Sequence, residues 1–332
     1  MIAQLNTNYI KTRPWKIFPR LISYFLFEGR PLTTKGQFIN PFLFKFLNFA
    51  SKLPLQNNSK DPVFIIGTGR SGTTMMGVLL SLHPDIGFLN EPKALWHTIY
   101  DHEDVIGSYC RSNARFRLDE NDASFHSISK ANRLYRLYRI MSLSPRIVDK
   151  YPELVFRIPF VKKIFPRAKF IFLVRNGWDS CSSINIWSQR KGGINRGEIH
   201  DWWGVNNRKW KIMLHELIKP DPEYRECIDK IESYKTHTDM AVVEWITAMQ
   251  EGLKQMEKYH TDILMVRYEE FIANPYDQLN RILKFCHLPF DNKLMNYIEK
   301  TMYTRQAHKR FKLPIELKML FDKTMADLGY DS

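Results

Sequence analysis

The sequence predicts an α/β protein in which a central parallel sheet is covered on both faces by helices. Three observations carry that prediction. After residue 61, short β-branched and aromatic runs alternate with longer helical stretches. A glycine-containing turn from Gly67 to Thr74 follows the first of these runs and opens a helix. Finally, 332 residues with 44% hydrophobic and 14% aromatic content can bury one substantial core and do not demand a second large domain. In an open parallel sheet, ligands collect at the carboxyl ends of the strands.

Along the chain, residues 1–60 read as a basic amphipathic extension and 61–332 as the main domain. The extension holds two apolar stretches, LISYFLF and INPFLFKFLNFA, separated by the turn-like EGRPLTTKG. Two short amphipathic helices fit, their apolar faces either packed on the main domain or laid against an anionic membrane surface. The run VFII at 63–66 is a buried strand, followed by a helix over 75–82. A short strand is expected over 146–149 with a helix over 153–165. The strongest strand is FIFLV at 170–174, with a helix over 178–189. ILMVR at 263–267 is the next strand, with a helix over 275–286. Polar, basic, aromatic-rich residues 100–145 and 190–240 read as solvated helix and loop, or as helical insertions framing a substrate site.

The formal charge is +14, and residues 1–60 carry nine Lys or Arg against the single acid Glu28, which places +8 of it there. Such an excess suits a partner with several negative charges. No zinc-finger spacing, long basic run or nucleic-acid module is present, so nucleic acid is not an expected partner. Cys110, Cys181, Cys227 and Cys286 are far apart and form no CxxC pair, which argues against a metal site or a disulfide framework. A reducing cytoplasm is the expected compartment, at most peripheral to the inner face of a membrane. The run 21–27 is too short to span a bilayer, and no signal-peptide pattern opens the chain.

The stretch GTGRSGTT carries the chemistry. A strand, a glycine turn and a helix start converge backbone N–H groups and the positive helix end on one point, which suits an anion. Gly67, Gly69 and Gly72 permit the tight turn, the hydroxyls of Ser71, Thr73 and Thr74 add donors, and Arg70 adds a fixed charge with a forked geometry. A Walker-type loop would need Lys where Thr73 stands. The same glycines spell GxGxxG, and Glu91 falls about where that motif's ribose-binding acid is expected, so a nicotinamide or flavin oxidoreductase is an alternative. A membrane-peripheral nucleotide-binding module without catalysis is another.

Four blocks in order discriminate further. IIGTGRSGTTMMGVLLSLHPDIGFLNEP, RIVDKYP, FPRAKFIFLVRNGWDSCSSI and VRYEEFIANPYDQLNRILKFCHLPF together resemble the sulfotransferases that use 3′-phosphoadenosine 5′-phosphosulfate (PAPS). The likeness is to the Golgi and bacterial branch that includes the tyrosylprotein and carbohydrate sulfotransferases. The resemblance covers most of 61–290 and implies a three-layer α/β/α fold of the P-loop nucleoside triphosphate hydrolase kind. It implies sulfuryl transfer from PAPS to an acceptor hydroxyl on a carbohydrate, lipid or other small molecule, with the bisphosphate PAP as product and no metal.

By the same resemblance, Gly69, Arg70, Ser71, Gly72, Thr73 and Thr74 hold the 5′-phosphosulfate, and Arg175 with Ser183 holds the 3′-phosphate. Glu91 is the implied general base, Lys150 stabilises the leaving or transferring group, and Arg70 joins them as a catalytic charge. His97 is a reserve base, whereas His83 reads as a turn residue. Lys93 is a candidate acceptor contact, and Arg305 or Lys309 a candidate cofactor contact. The serine pair expected near Arg305 in the tyrosylprotein branch is missing, which puts a peptide-tyrosine acceptor in doubt. Trp202, Trp203 and Trp210 are either core or a stacking surface for an acceptor.

Overall fold

The computed structural model describes residues 2–55, 62–195, 197–301 and 310–330. Its centre is a sheet of five strands: β1 (Val63–Gly67), β2 (Ile86–Asn90), β3 (Arg146–Lys150), β4 (Lys169–Val174) and, after a separate small sheet, β8 (Ile263–Arg267). Their order across the sheet is β2-β3-β1-β4-β8, and every neighbouring pair is parallel. The small sheet is antiparallel and joins β5 (Gly193–Asn195), β6 (Glu198–Asp201) and β7 (Gly204–Val205).

The helices preceding the sheet are α1 (Thr7–Thr12), α2 (Ile17–Leu26) and α3 (Asn40–Ala50). Within the main body run α4 (Thr73–Ser81), α5 (Lys93–Ile99), α6 (Phe125–Met141), α7 (Ile158–Ile164) and α8 (Gly177–Lys191). Next come α9 (Arg208–Met213), α10 (Ile228–Glu232), α11 (His237–Lys258), α12 (Tyr268–Ala273), α13 (Pro275–Phe285), α14 (Asn292–Thr301) and α15 (Lys318–Asp327).

Period-two alternation along the strands builds the three layers. Phe64, Ile66, Phe170 and Phe172 face a cluster with Trp245, Ile246 and Met249 of α11. Val63, Ile65, Ile171 and Leu173 face the opposite cluster, with Met76, Leu79 and Leu80 of α4 and Ile282 and Leu283 of α13. The α/β/α architecture with a parallel sheet is therefore as the sequence predicts. The strand order also bears on the oxidoreductase alternative: β3 separates β2 from β1, whereas the usual dinucleotide-binding order places the second strand beside the first.

Several local expectations change. The stretch 153–165 is not one helix, because Pro152 opens a 3₁₀ segment that runs to Arg157 before α7 begins. Helix α4 begins at Thr73, ahead of its apolar run, and α8 is extended at its start by an Asn176 cap whose side chain accepts from the Trp178 N–H. Residues 100–145 contain a 17-residue helix capped by Ser124. Residues 190–240 contain the small sheet, which the polar sequence does not announce, together with α9 and α10.

The extension is packed onto the main body: Phe27, Leu43, Leu47 and Ala50 belong to the α11-side cluster. Helix α2 is built inside out. Its polar residues Arg20 and Ser23 are buried, as is Lys16 just before it, while Phe18 and Phe25 are exposed. The buried polar face meets the free edge of β2. Lys16 Nζ donates to the carbonyls of Pro84 (2.9 Å) and Ile86 (2.7 Å), and Arg20 donates to that of Phe88 (2.8 Å). The Asn90 N–H donates to Glu28 Oε1 (2.9 Å). Side chains thus satisfy the outward backbone groups that an added strand would otherwise take. Arg20 and Glu28 are themselves an ion pair at 2.7 Å, almost wholly buried.

Arg20→Met leaves the Glu28 carboxylate buried without its partner and should destabilise the fold by about 3 to 5 kcal/mol, read as a lower urea midpoint. A loss under about 1 kcal/mol would show that the clasp is not needed to hold β2.

Asp149, fully buried on β3, accepts from Trp96 Nε1 at 2.9 Å and from the Tyr135 hydroxyl. Burial pushes its carboxyl from an ordinary 3.8 up to about 7, against the opposing pull of those two donors and Lys150. The unfolded chain releases this proton near pH 4 and the folded one near pH 7, so stability from this group falls across that window and is level above it. Urea midpoints at about pH 5 and about pH 7.5 should differ less in Asp149→Asn than in the parent protein.

Candidate active site

At the carboxyl end of β1 the chain turns sharply. Gly67 has φ +139°, and a Cβ there would lie 2.4 Å from the Leu173 carbonyl oxygen on β4, so only glycine fits. Arg70 and Gly72 also adopt left-handed conformations, at φ +70° and +90°. Gly72 is the N-cap of α4 and offers no side chain to its first-turn N–H groups. The residues of the loop divide. Gly69, Arg70, Thr73 and Thr74 line a cleft of about 270 Å³, while Ser71 is turned inward, its hydroxyl 2.5 Å from that of Thr68.

The second anion motif is physically joined to this loop. Arg70 Nε donates to Ser183 Oγ on α8 at 3.2 Å, and Arg175 Nη1 donates to the Arg70 carbonyl at 3.1 Å. Arg175 also pairs with Asp179 at 3.2 Å and lies 4.8 Å from the centre of the Tyr268 ring. That same ring closes on Gly72, where a Cβ would meet it at 2.5 Å. Neither Arg175 nor Ser183 lines the cleft. Arg175 Nε is buried without a hydrogen-bond partner. Together with the uncapped start of α4, that orphaned donor fits a ligand carrying several anionic oxygens.

Glu91 follows directly on β2 with a left-handed backbone, φ +47°. Its N–H donates to the Lys150 carbonyl at 2.7 Å, and its Oε1 accepts from Lys150 Nζ. The carboxylate is 41% exposed and faces the cleft, whereas Lys150 is 1% exposed and lies outside the lining. The expectation that Lys150 grips the transferring or leaving group directly therefore does not match its placement: as the last residue of β3 it is enclosed and committed to Glu91.

Lys93 lines the cleft and pairs with Glu153 at 3.2 Å. Burial disfavours its charge, but Glu153, Glu91 and Glu103 outweigh burial and keep its ammonium protonated well above the ordinary range. Burial likewise pushes the Glu153 carboxyl up, and Lys93 and Lys209 more than reverse this, holding it below the usual carboxylate range.

The small sheet supplies the facing wall. Trp202 lies over Gly69, where a Cβ would be 2.3 Å from its ring. Its Nε1 donates to Glu244 Oε2 at 2.6 Å, Glu244 Oε1 accepts from Lys209 at 2.5 Å, and the Lys209 ammonium lies 4.7 Å from the indole centre. Trp187 meets Trp202 edge to face at 5.2 Å. Thr33 and Thr34, on the connection between α2 and α3, close another side.

Of the three tryptophans singled out in the sequence, only Trp202 lines the cleft. Trp203 and Trp210 are core, stacked edge to face at 5.7 Å, and Trp203 donates to His237 at 2.9 Å. His97 is not in the lining and packs between Phe44 and Tyr109. His83 Nε2 meets the Pro289 carbonyl at 2.9 Å while its Nδ1 accepts from the Asp85 N–H, a turn role as expected. Arg305 and Lys309 lie outside the described residues. Lys209, Glu244, Glu153 and Trp187 escaped the sequence reading, since 35 residues separate Lys209 from Glu244 and no local motif links them. Among the described residues, no His, Cys, Asp and Glu group is arranged to hold a metal ion.

Comparison with known proteins gives a consistent assignment. A family model described as the sulfotransferase family matches residues 62–228 and 223–292. A protein-tyrosine sulfotransferase of Drosophila melanogaster is 25% identical over 247 residues, covering 73% of this chain and 41% of that protein. Protein-tyrosine sulfotransferase 1 of Danio rerio is 24% identical over 249 residues, covering 74% of this chain and 58% of that one. The chain spans about half the length of the curated relatives it matches. Among solved structures, sulfotransferase STF9 from Mycobacterium avium shares the fold with a TM-score of 0.52 at 14% identity, covering 88% of this chain and 84% of that one. With the family model spanning both anion motifs and the strands that carry them, the chain belongs to the sulfotransferase family.

Proposed function

We propose that this protein transfers a sulfuryl group from PAPS to an acceptor hydroxyl, and that the acceptor is the phenol of a tyrosine. The observation that carries the reading is the junction at Arg70. Its side chain reaches Ser183 and its carbonyl holds Arg175, which brings both anion motifs to the edge of the cleft that Glu91 faces. PAPS, when bound, supplies an activated sulfuryl group and leaves as the bisphosphate PAP.

The chain's own residues divide the work. The backbone N–H groups at the start of α4, with Thr73, Thr74 and the Arg70 guanidinium, hold the 5′ phosphosulfate oxygens. Arg175, through its orphaned Nε, and Ser183 hold the 3′-phosphate. Glu91 accepts the acceptor's hydroxyl proton at the oxygen not committed to Lys150. Lys150 is a positioning residue that fixes the carboxylate, and Arg70 contributes charge stabilisation. A tyrosine phenol ranks ahead of the carbohydrate or lipid hydroxyl expected from the sequence. Relatives are named protein-tyrosine sulfotransferases, and Trp187 with Trp202 offers a ring-bearing acceptor an aromatic wall. The four cysteines are unpaired, which a reducing compartment such as the cytoplasm accommodates.

Thermal-shift titration should show stabilisation by PAP and none by NAD; the reverse pattern would return the oxidoreductase alternative to first place. Arg175→Ala should weaken PAP binding by about 1.5 to 3 kcal/mol in calorimetric titration, with unchanged affinity removing Arg175 from the site. Glu91→Gln should lower radiolabelled sulfate transfer from PAPS into a tyrosine-containing peptide by roughly a hundredfold or more while PAP affinity stays near that of the parent. Transfer into a sugar acceptor but not the peptide would reject the phenol and keep the donor assignment.

A further inference from the structure

The two stretches of the extension expose aromatic side chains at helical spacing. Trp15, Phe18 and Phe25 recur at intervals of three and seven residues just before and along α2, and Phe38, Phe42 and Phe49 at four and seven just before and along α3. All six are between 48% and 79% exposed. On α3 the opposite side is the packed one, with Leu43, Leu47 and Ala50 buried. On α2 the face that clasps β2 is polar, Ile22 and Leu26 pack on the core beside it, and Phe18 and Phe25 are left outside. The two helices pack against each other, and Phe27 meets Phe46 edge to face at 5.8 Å. Single exposed apolar residues are ordinary on a protein surface, but six aromatics on two adjoining short helices and the turns leading into them are not.

The charges around these aromatics select the occupant. Lys11, Lys35, Lys45 and Lys52 are exposed, while the one acid of the extension, Glu28, is buried against Arg20. Among the described residues 2–55, therefore, every exposed charge is positive. A second copy of the same surface would bring lysines against lysines. An anionic lipid surface instead offers negative headgroups to the lysines and an acyl boundary to the rings. With 10 and 11 residues, α2 and α3 are too short to cross a bilayer, and no described helix is long and apolar enough to do so.

We infer that α2 and α3 form an interfacial docking surface for an anionic lipid bilayer, with Trp15, Phe18, Phe25, Phe38, Phe42 and Phe49 entering the headgroup boundary beneath a rim of lysines. The surface is separate from the anion-binding loop but continuous with the cleft, because the connection between the two helices supplies Thr33 and Thr34 to the cleft wall. The inference does not depend on the transferase reading.

The test is flotation of the full chain with vesicles of phosphatidylcholine alone and of phosphatidylcholine mixed with phosphatidylserine. Binding is expected only to the anionic vesicles at low salt, and it should fall as salt is raised. A variant combining Phe18→Ser, Phe25→Ser, Phe42→Ser and Phe49→Ser should lose binding by roughly tenfold or more. Lys45→Gln with Lys52→Gln should weaken it by several-fold. Circular dichroism and the urea midpoint of the same variants serve as folding controls. Absence of the parent protein from the anionic vesicle fraction overturns the inference. So does unchanged binding by the folded Phe variant, or sedimentation showing a parent dimer that this variant converts to monomer.

Discussion

The pairing of β1 with β4, which sets Gly67 opposite Leu173, is the constraint from which the active-site geometry follows. It ends two central strands at the same level, and it brings their backbones so close at Gly67 that no side chain is possible there. The turn after β1 must therefore rise away from β4, and Arg175, two residues past Leu173, emerges beneath it. Arg175 then holds the Arg70 carbonyl, and Arg70 reaches across to Ser183, two turns along α8. The two motifs are thus joined by hydrogen bonds within the protein itself, so a ligand that engaged both would leave little ordering to be done on binding.

A second chain of contacts positions the acid. The Glu28 carboxylate takes the Asn90 N–H, the last residue of β2, and the next residue is Glu91. Its own N–H is fixed by the Lys150 carbonyl, and its carboxylate by the Lys150 ammonium. The ends of two strands thus fix Glu91, while Glu28, just past α2 and outside the family-matched region, holds the residue before it. The left-handed backbone of Glu91 is a conformation that a non-glycine residue holds only when its surroundings impose it. Across the cleft, Glu244 fastens both Trp202 and Lys209, so the opposite wall is held with similar firmness.

The sheet and the loop were legible in the sequence because their signals are local. VFII and FIFLV are buried on both faces and read as apolar runs, and glycines mark the turn where backbones approach. Arg175 and Ser183 fall on one strand-to-helix unit, so their nearness to the loop follows from local sequence. Spacing does not reveal that Lys150 is enclosed and paired with Glu91, which lines the cleft while Lys150 does not. The small sheet was hidden because GIN and EIHD carry no apolar alternation. Helix α2 misleads periodicity: its most buried side chains are polar, because that side packs on an unpaired strand edge, while only Ile22 and Leu26 reach the apolar core.

Because β2 is finished by side chains and not by another strand, the matched region alone is not a self-sufficient unit. Cutting the chain ahead of residue 62 would strip Lys16, Arg20 and Glu28 from the sheet and leave the carbonyls of Pro84 and Ile86 and the N–H of Asn90 without these partners, with the Phe88 carbonyl held by Tyr138 alone. Such an open border is a template on which a strand of another molecule can add. The short helix that looks like an appendage is what keeps the sheet at five strands and the molecule from propagating through its edge.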